Sequence, residues 1–339
     1  MTGYVNPKPA WKVTLGNKDL TEKMAPRIIS LTLVEDTGEK ADRLEICLSD
    51  HDGKLAMPKK GALLAVSLGW ERGTGVKVGL VSKGTFKVDG IGWGGGVSQE
   101  SDTITISARS ADLAGSFRKR KNKSHHGQTL GQIVAAVAAA NGLTAKCHPD
   151  LASVVVTSAE QAHKSDMQFL RDLGRRYDAA ATVKAGRLIF SPHSAKTTAG
   201  GKTLPTLTIT RQMGGRPEYE ESSRDSGQNG AEAQYFDQST GKRVVVGAGG
   251  STRKRLKRIY SSKADAAAAA GSESNRLARR GGRLKFTLSY GDPAVAAGAR
   301  AKVSGFKAEI DAKAWRMVNV QHNMSKDGYT TDLDMELAG

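Results

Sequence analysis

The chain has 339 residues, of which 38% are hydrophobic and only 5% aromatic, enough for two or three domains with lean cores. No run reaches the roughly 18 consecutive apolar residues of a membrane helix, so no membrane anchor is expected. MTGYVNPKPAWKVTL at the N-terminus has two early prolines and no apolar core, so no secretory segment is expected either. The 51 basic against 34 acidic residues give a net charge of +17, which favours an acidic partner: nucleic acid, a protein surface or an anionic envelope.

From Trp11 to Arg109 the pattern is one of short strands. WKVTL (11–15), IISLTLVE (28–35), RLEICLSD (43–50), ALLAVSLGW (62–70), GTFKVDGIGW (84–93) and TITISAR (103–109) are rich in β-branched residues and divided by turn residues. Several short strands at such spacing point to a barrel or sandwich over residues 1–116. The alternation Leu44-Glu45-Ile46-Cys47-Leu48 buries one face of an antiparallel sheet. Cys47 lies far in sequence from Cys147, and two reduced thiols in a cytoplasmic place of synthesis are expected.

FRKRKNKSHHGQ (117–128) reads as a basic breaker crossing into a second domain, 117–195. Thr129 with Gln132 forms a capping box for a helix that places Leu130, Ile133, Val134 and Val137 on one face, and Gly142 closes it. Ser165 with Gln168 forms a second box, and Asp166 complements the positive end of the helix it opens. Phe169, Leu170, Leu173 and Tyr177 fall on one face of that helix. AAATV and RLIF then read as strands around Lys184-Ala185-Gly186, with Gly186 free to take positive φ. The two helices are expected to pack together with this hairpin as a small α+β domain.

The third part, 196–339, returns to strands at TLTITR, PEYEESSRD, AEAQYFD and KRVVVG. GAGGSTRKRLKR (247–258) reads as a flexible basic loop. Ser262 with Asp265 caps a helix near 262–280, and strands follow at RLKFTLSY, RAKVSGF, AWRMVNVQHNM and YTTDLDMEL. The fold class is therefore α+β, mainly β, with two β-units flanking an α+β insert. Two β-units of similar size suggest duplication, though no residue identity links them.

Three ordered segments carry a resemblance. The first is the helix from Thr129 to Leu143. The second is Gln161 through Ser165-Asp166-Met167-Gln168-Phe169-Leu170-Arg171-Asp172-Leu173 to Gly186-Arg187-Leu188-Ile189-Phe190. The third is Gly291-Asp292-Pro293, Ala297-Gly298, Trp315-Arg316-Met317-Val318, Gln321-His322 and Gly328-Tyr329-Thr330-Thr331. Together they cover most of 128–337, and they resemble the phage late control D family, the baseplate hubs of contractile tails and related injection particles. The resemblance implies a homotrimeric ring in which each subunit contributes two β-barrel domains like those of the tail tube. Six such units would adapt a six-fold tube to a three-fold spike. The implied partners are a tail spike protein, a tail tube or tube-initiator protein and a tape measure protein. The implied place is the tail baseplate of a virion or tail-derived particle, assembled in the host bacterial cytoplasm; a phage and a bacteriocin are not distinguished.

The residues offer no catalytic, cofactor-binding or metal site. His125-His126 and Cys147-His148 lack the spacing that lets two side chains converge on one ion. Gly90 to Gly96 lacks the lysine and helix of a phosphate loop and reads as a hairpin. There is no G-x-S-x-G, and His322 reads as a turn or core hydrogen-bonder. Glu218 and Glu220 could share a strand face and serve a peptidoglycan hydrolase, against the plainer reading of a solvated or interface strand. The runs Arg118-Lys119-Arg120-Lys121 and Arg253-Lys254-Arg255-Leu256-Lys257-Arg258 could neutralise phosphates but lack interleaved aromatics. A specific nucleic-acid ligand is therefore not expected, and docking to an acidic protein surface is preferred.

Overall fold

The computed structural model describes residues 3–16, 18–37, 41–95, 102–110, 117, 119–184, 186–204, 206–221 and 227–338. The N-terminal part contains β1 (Lys8–Leu15), β2 (Lys18–Asp19), the single turn α1 (Thr21–Met24), β3 (Ile28–Asp36), β4 (Arg43–Ser49), β5 (Leu63–Arg72), β6 (Gly79–Gly94) and β7 (Thr103–Ser110). Every strand read from alternation is present. In β4, Leu44, Ile46 and Leu48 are buried while Arg43 and Glu45 are exposed, the period of two that a one-sided sheet imposes. Gly90, Gly92 and Gly94 lie within β6, paired along β7; Gly96, the last of the expected hairpin glycines, lies outside the described residues.

The middle part runs β8 (Arg120–Thr129), α2 (Leu130–Ala140), β9 (Thr144–Cys147), the turn α3 (Pro149–Ala152), β10 (Val155–Ser165), α4 (Asp166–Tyr177), β11 (Ala179–Lys184) and β12 (Arg187–Pro192). Thr129 and Gln132 make both bonds of the capping box. At the second cap only half forms: the Gln168 amide donates to Ser165, but its side chain turns forward to Asp172. Gly186 has φ +69° at its turn, as expected. The basic stretch 117–128 corrects the reading of it as a crossing, for most of it is β8, antiparallel to β10. Its signal is hidden because β8 is polar at nearly every position; His125 alone is buried within that strand, stacked on Phe169 at 5.1 Å. Arg118 lies outside the described residues. Helices α2 and α4 contribute to one core, but the hydrogen bonds at the C-terminal end of α4 go to a helix from the third part of the chain.

That third part contains β13 (Thr206–Thr210), β14 (Gly214–Glu220), β15 (Gly230–Asp237), β16 (Lys242–Gly249), β17 (Arg253–Tyr260), α5 (Lys263–Arg280), β18 (Arg283–Leu288), β19 (Arg300–Ser304), the turn α6 (Ala308–Asp311), β20 (Ala314–Ser325) and β21 (Gly328–Leu337). Ser262 caps α5 through the Asp265 amide, as read. The expected loop 247–258 is instead the end of β16 and most of β17, which pairs in parallel with β15. Charged residues mask its alternation, yet Leu256 and Tyr260 reach the small core beneath α5.

The two β-units are not separate sheets. One thirteen-stranded sheet runs β14-β18-β21-β20-β3-β4-β7-β6-β5-β1-β2, with β13 and β19 attached beside β20. The join is the antiparallel pairing of β20 with β3, from Asn319 opposite Asp36 to Ser325 opposite Ser30. No closed barrel occurs among the described residues. Strands β15, β16 and β17 form their own three-stranded sheet under α5.

Four hydrophobic clusters follow this layout. One gathers β1 to β7 with Met324 and Tyr329, one fills residues 117–190, one lies among β13 to β21, and a small alanine cluster joins α5 to β15. Close backbone approach also shapes the first: a Cβ on Gly69 would sit 1.8 Å from the Gly79 carbonyl oxygen on β6. Gly69→Ala should therefore push β5 from β6 and lower unfolding stability by about 2 kcal/mol or more in denaturant titration. Unchanged stability would contradict this packing.

Candidate functional site

The candidate sites are junctions and faces rather than a reaction centre. The first junction lies where β20 meets β3. Leu31, Leu33 and Glu35 alternate on one face of β3, so the Glu35 carboxylate enters the core with them and requires partners. Lys83 on β6 donates to it at 2.9 Å and to the Val295 carbonyl at 3.0 Å. His322 on β20 approaches it through Nε2 at 3.3 Å. A carboxylate only accepts, so Nε2 carries the proton and Nδ1 accepts from the Tyr329 hydroxyl at 2.8 Å. Trp70 closes the group by donating to the Gly291 carbonyl at 2.8 Å, its ring 5.4 Å from that of Tyr329.

Burial by itself would raise the Glu35 carboxyl, but the His322 hydrogen bond and the charges of Lys83 and Lys184 outweigh it and hold it at about 2. Burial pulls Lys83 and His322 below their ordinary values, with Glu35 opposing in both cases. The several partners of Glu35 make the ionised carboxylate, facing a neutral imidazole, the form the geometry supports. Lys184 at the end of β11 also pairs with Asp42 at 3.5 Å, which brings the middle part against this seam.

The second junction joins three parts of the chain. Asp178, in the left-handed conformation that ends α4, receives a two-pronged bond from Arg279 of α5 at 2.8 and 2.5 Å. Arg279 also pairs with Glu336 of β21 at 3.4 Å, and Glu336 pairs with Arg316 of β20. Arg316 donates to His193 Nδ1 at 2.9 Å, so that nitrogen must be unprotonated. Burial first, then the charges of Arg316 and Arg279, depress His193 to about 3. Nearby, Ser272 donates to the Arg175 carbonyl, and Tyr177 donates to Asp265 at 2.9 Å.

Of the residues weighed from sequence, His322 and Tyr329 meet at the first junction as core hydrogen-bonders, and Gly291 reaches it through its carbonyl. Trp315 is fully buried and donates to the Ile310 carbonyl. His126 is exposed, while His148 caps α3 and bonds Thr197. Cys47 and Cys147 are free thiols, and burial pushes Cys147 up to about 11. No group of three or more metal-ligating side chains occurs among the described residues. Glu218 and Glu220 do share a face, opposite Lys285 and Arg283. The Lys285 hydrogen bond lowers the Glu218 carboxyl, the reverse of what a proton-donating acid needs. Glu35, Lys83 and Arg279 are not marked by any sequence motif, and Arg316 enters only within the Trp315–Val318 segment. For Glu35 a signal existed, since Leu31-x-Leu33-x-Glu35 puts a charge on the buried face.

The large sheet also has an open polar face that crosses the seam. Lys285 pairs with Glu218 at 2.8 Å, Arg283 with Asp334, Thr287 and Asn323 with Asp332 at 2.7 and 2.8 Å, and Arg109 with Asp89 at 2.9 Å. A groove of about 250 Å³ runs over Thr32, Arg43, Glu45, Asp89, Ser107 and Arg109.

Comparison with known proteins places these features. A family model described as phage tail baseplate hub (GPD) matches residues 47–328. A probable baseplate hub protein of Escherichia phage 186 is 32% identical, over 97% of this chain and 93% of that protein. The corresponding protein of Escherichia phage P2 is 31% identical over the same shares. The crystal structure of a 43 kDa tail protein from prophage MuSo2 of Shewanella oneidensis has the same fold, with a TM-score of 0.67 at 14% identity, covering 97% of this chain and 98% of that one.

Two outcomes test the junctions. Lys83→Met should cost about 3–5 kcal/mol by stranding Glu35, and the pair Glu35→Leu with Lys83→Met should recover most of it in equilibrium denaturation. Because His193 is harder to protonate folded than unfolded, its contribution is complete above its ordinary value of 6.5 and is lost as pH falls from there toward about 3. Stability should therefore decline already between about pH 6.5 and 5, before most carboxylates titrate, and His193→Asn should flatten that decline. Parallel profiles for variant and wild type would contradict it.

Proposed function

The chain belongs to the phage tail baseplate hub family, and from that premise we propose that it forms a homotrimeric ring joining a six-fold tail tube to a three-fold tail spike. The observation that carries this reading is the continuous open sheet built from both ends of the chain, with a polar face across the seam. Two β-units held in one sheet give three subunits six such units, the number a six-fold tube requires. The sheet ends in short β2 at one side and β14 at the other, and the barrel expected for each tube-like unit would be completed between neighbouring subunits. The polar face would then line the passage, where paired charges of both signs offer little grip on a chain passing through.

The division into 1–116, 117–195 and 196–339 belongs to this reading, with the first two hydrophobic clusters as its support. The middle part and α5, tied by the Asp178–Arg279 junction, would form a buttress outside the ring. The partners proposed are a spike protein on one side, a tube or tube-initiator protein on the other, and a tape measure protein in the passage. The work is adaptation of symmetry in the virion tail, with assembly in the host cytoplasm, and the chain performs no chemistry of its own.

Light scattering on the purified protein, across a concentration series at moderate and high salt, tests the ring. A mass three times that of the chain, retained at high salt, is expected. A monomer that also fails to join tube or spike proteins on mixing would contradict it.

A further inference from the structure

The three-stranded sheet β16-β15-β17 has one face under α5 and one face uncovered. Ala233, Tyr235, Val246, Leu256 and Tyr260 point into the small core beneath the helix. Alternation puts the intervening residues on the other side, and the register arranges them in rows. Gly247, Glu232 and Arg255 stand side by side, then Val245, Gln234 and Ile259, then Arg243 beside Phe236. The Arg255–Glu232 ion pair at 2.6 Å and the Arg253 guanidinium lying over Gly247 confirm which side these residues occupy.

This face combines two features rarely found together on a solvated surface. Phe236, Val245 and Ile259 are 47%, 45% and 40% exposed, Val245 and Ile259 flanking Gln234 across the sheet and Phe236 following Gln234 on the same face of β15. Around them stand Arg243, Arg253, Arg255 and the exposed Lys257, against the single carboxylate of Glu232. Arg243 and Lys257 make no ion pair among the described residues. Exposed apolar side chains within a rim of net positive charge are the counterpart of a protein surface with apolar side chains and an acidic rim.

We propose that the outward face of β15, β16 and β17 is a docking site for an acidic partner protein that inserts apolar side chains between Phe236, Val245 and Ile259. A second copy of the same face is disfavoured, because it would bring two cationic rims together. Nucleic acid is disfavoured because aliphatic Val245 and Ile259 occupy the positions where base stacking would need aromatic rings. The charge of the run from Arg253 to Arg258 thereby gains a use: it selects and orients the partner, while the apolar side chains hold it. The inference rests on family membership and not on the trimeric ring.

Three fluorescent probes of equal net charge test it by anisotropy with the purified full-length protein: a peptide alternating glutamate with leucine and valine, a polyglutamate peptide, and a single-stranded oligonucleotide. The mixed peptide should bind about tenfold tighter than either of the others. That binding should fall about tenfold or more both in Arg243→Glu with Arg255→Glu and in Phe236→Ser with Val245→Ser. The milder Phe236→Ser alone, checked by circular dichroism, separates lost contact from lost folding. Equal binding of polyglutamate or the oligonucleotide, indifference to either pair of substitutions, or no binding of the mixed peptide would overturn the proposal. So would a drop in the protein's light-scattering mass on Phe236→Ser, which would assign the face to contacts between copies. A monomeric wild type that still binds the mixed peptide would count against the ring and leave the docking site standing.

Discussion

A buried carboxylate that must not be left alone governs how this chain closes. Glu35 enters the core in step with Leu31 and Leu33, and the cost of an unpaired charge there is several kcal/mol. Its partners come from β6 and from β20, nearly the whole chain away. Lys83 meets the charge, and only when the C-terminal strands have paired with β3 does His322 complete the group, so these polar bonds favour the register in which β20 pairs with β3. The family-like ending of the sequence acquires its meaning here: Gly291, His322 and Tyr329 are the residues that complete this group from the far end.

The second junction applies the same logic with arginine. Arg279 and Arg316 reach carboxylates with planar forks and a neutral imidazole with a single bond, an arrangement a lysine could not reproduce. It fixes the end of α4, α5 and the last two strands against each other, so the α+β part cannot swing independently of the sheet. Rigid union of this kind suits a baseplate hub, and it leaves the outward face of β15, β16 and β17 on the side of that sheet away from α5.

Most elements were legible in the sequence, and the reasons for the exceptions are physical. The strands of the large sheet have one buried face, so Leu44-Glu45-Ile46 and its like announce themselves. Helix starts were legible because Thr129, Ser165 and Ser262 are side chains that do the capping. Strands β8 and β17 were not, because β8 is polar at nearly every position, lysine and arginine fill most of β17, and the pairing partner supplies the reason to be extended. The joining of the β-units was also hidden: strand pairing across the whole chain leaves no local mark. Glu35 and His322 did carry one, since each falls in phase with buried neighbours, but the partner of a misplaced charge cannot be read from its own strand.

The central claim is that the β20–β3 pairing makes one body of both ends of the chain. Native-state hydrogen exchange followed by mass spectrometry tests it most directly. The account predicts that amides of residues 31–36 and 319–325 fall in the slowest class and exchange together with the cores on either side. Rapid exchange across that ladder, with each core still protected, would mean two independent units and would contradict it.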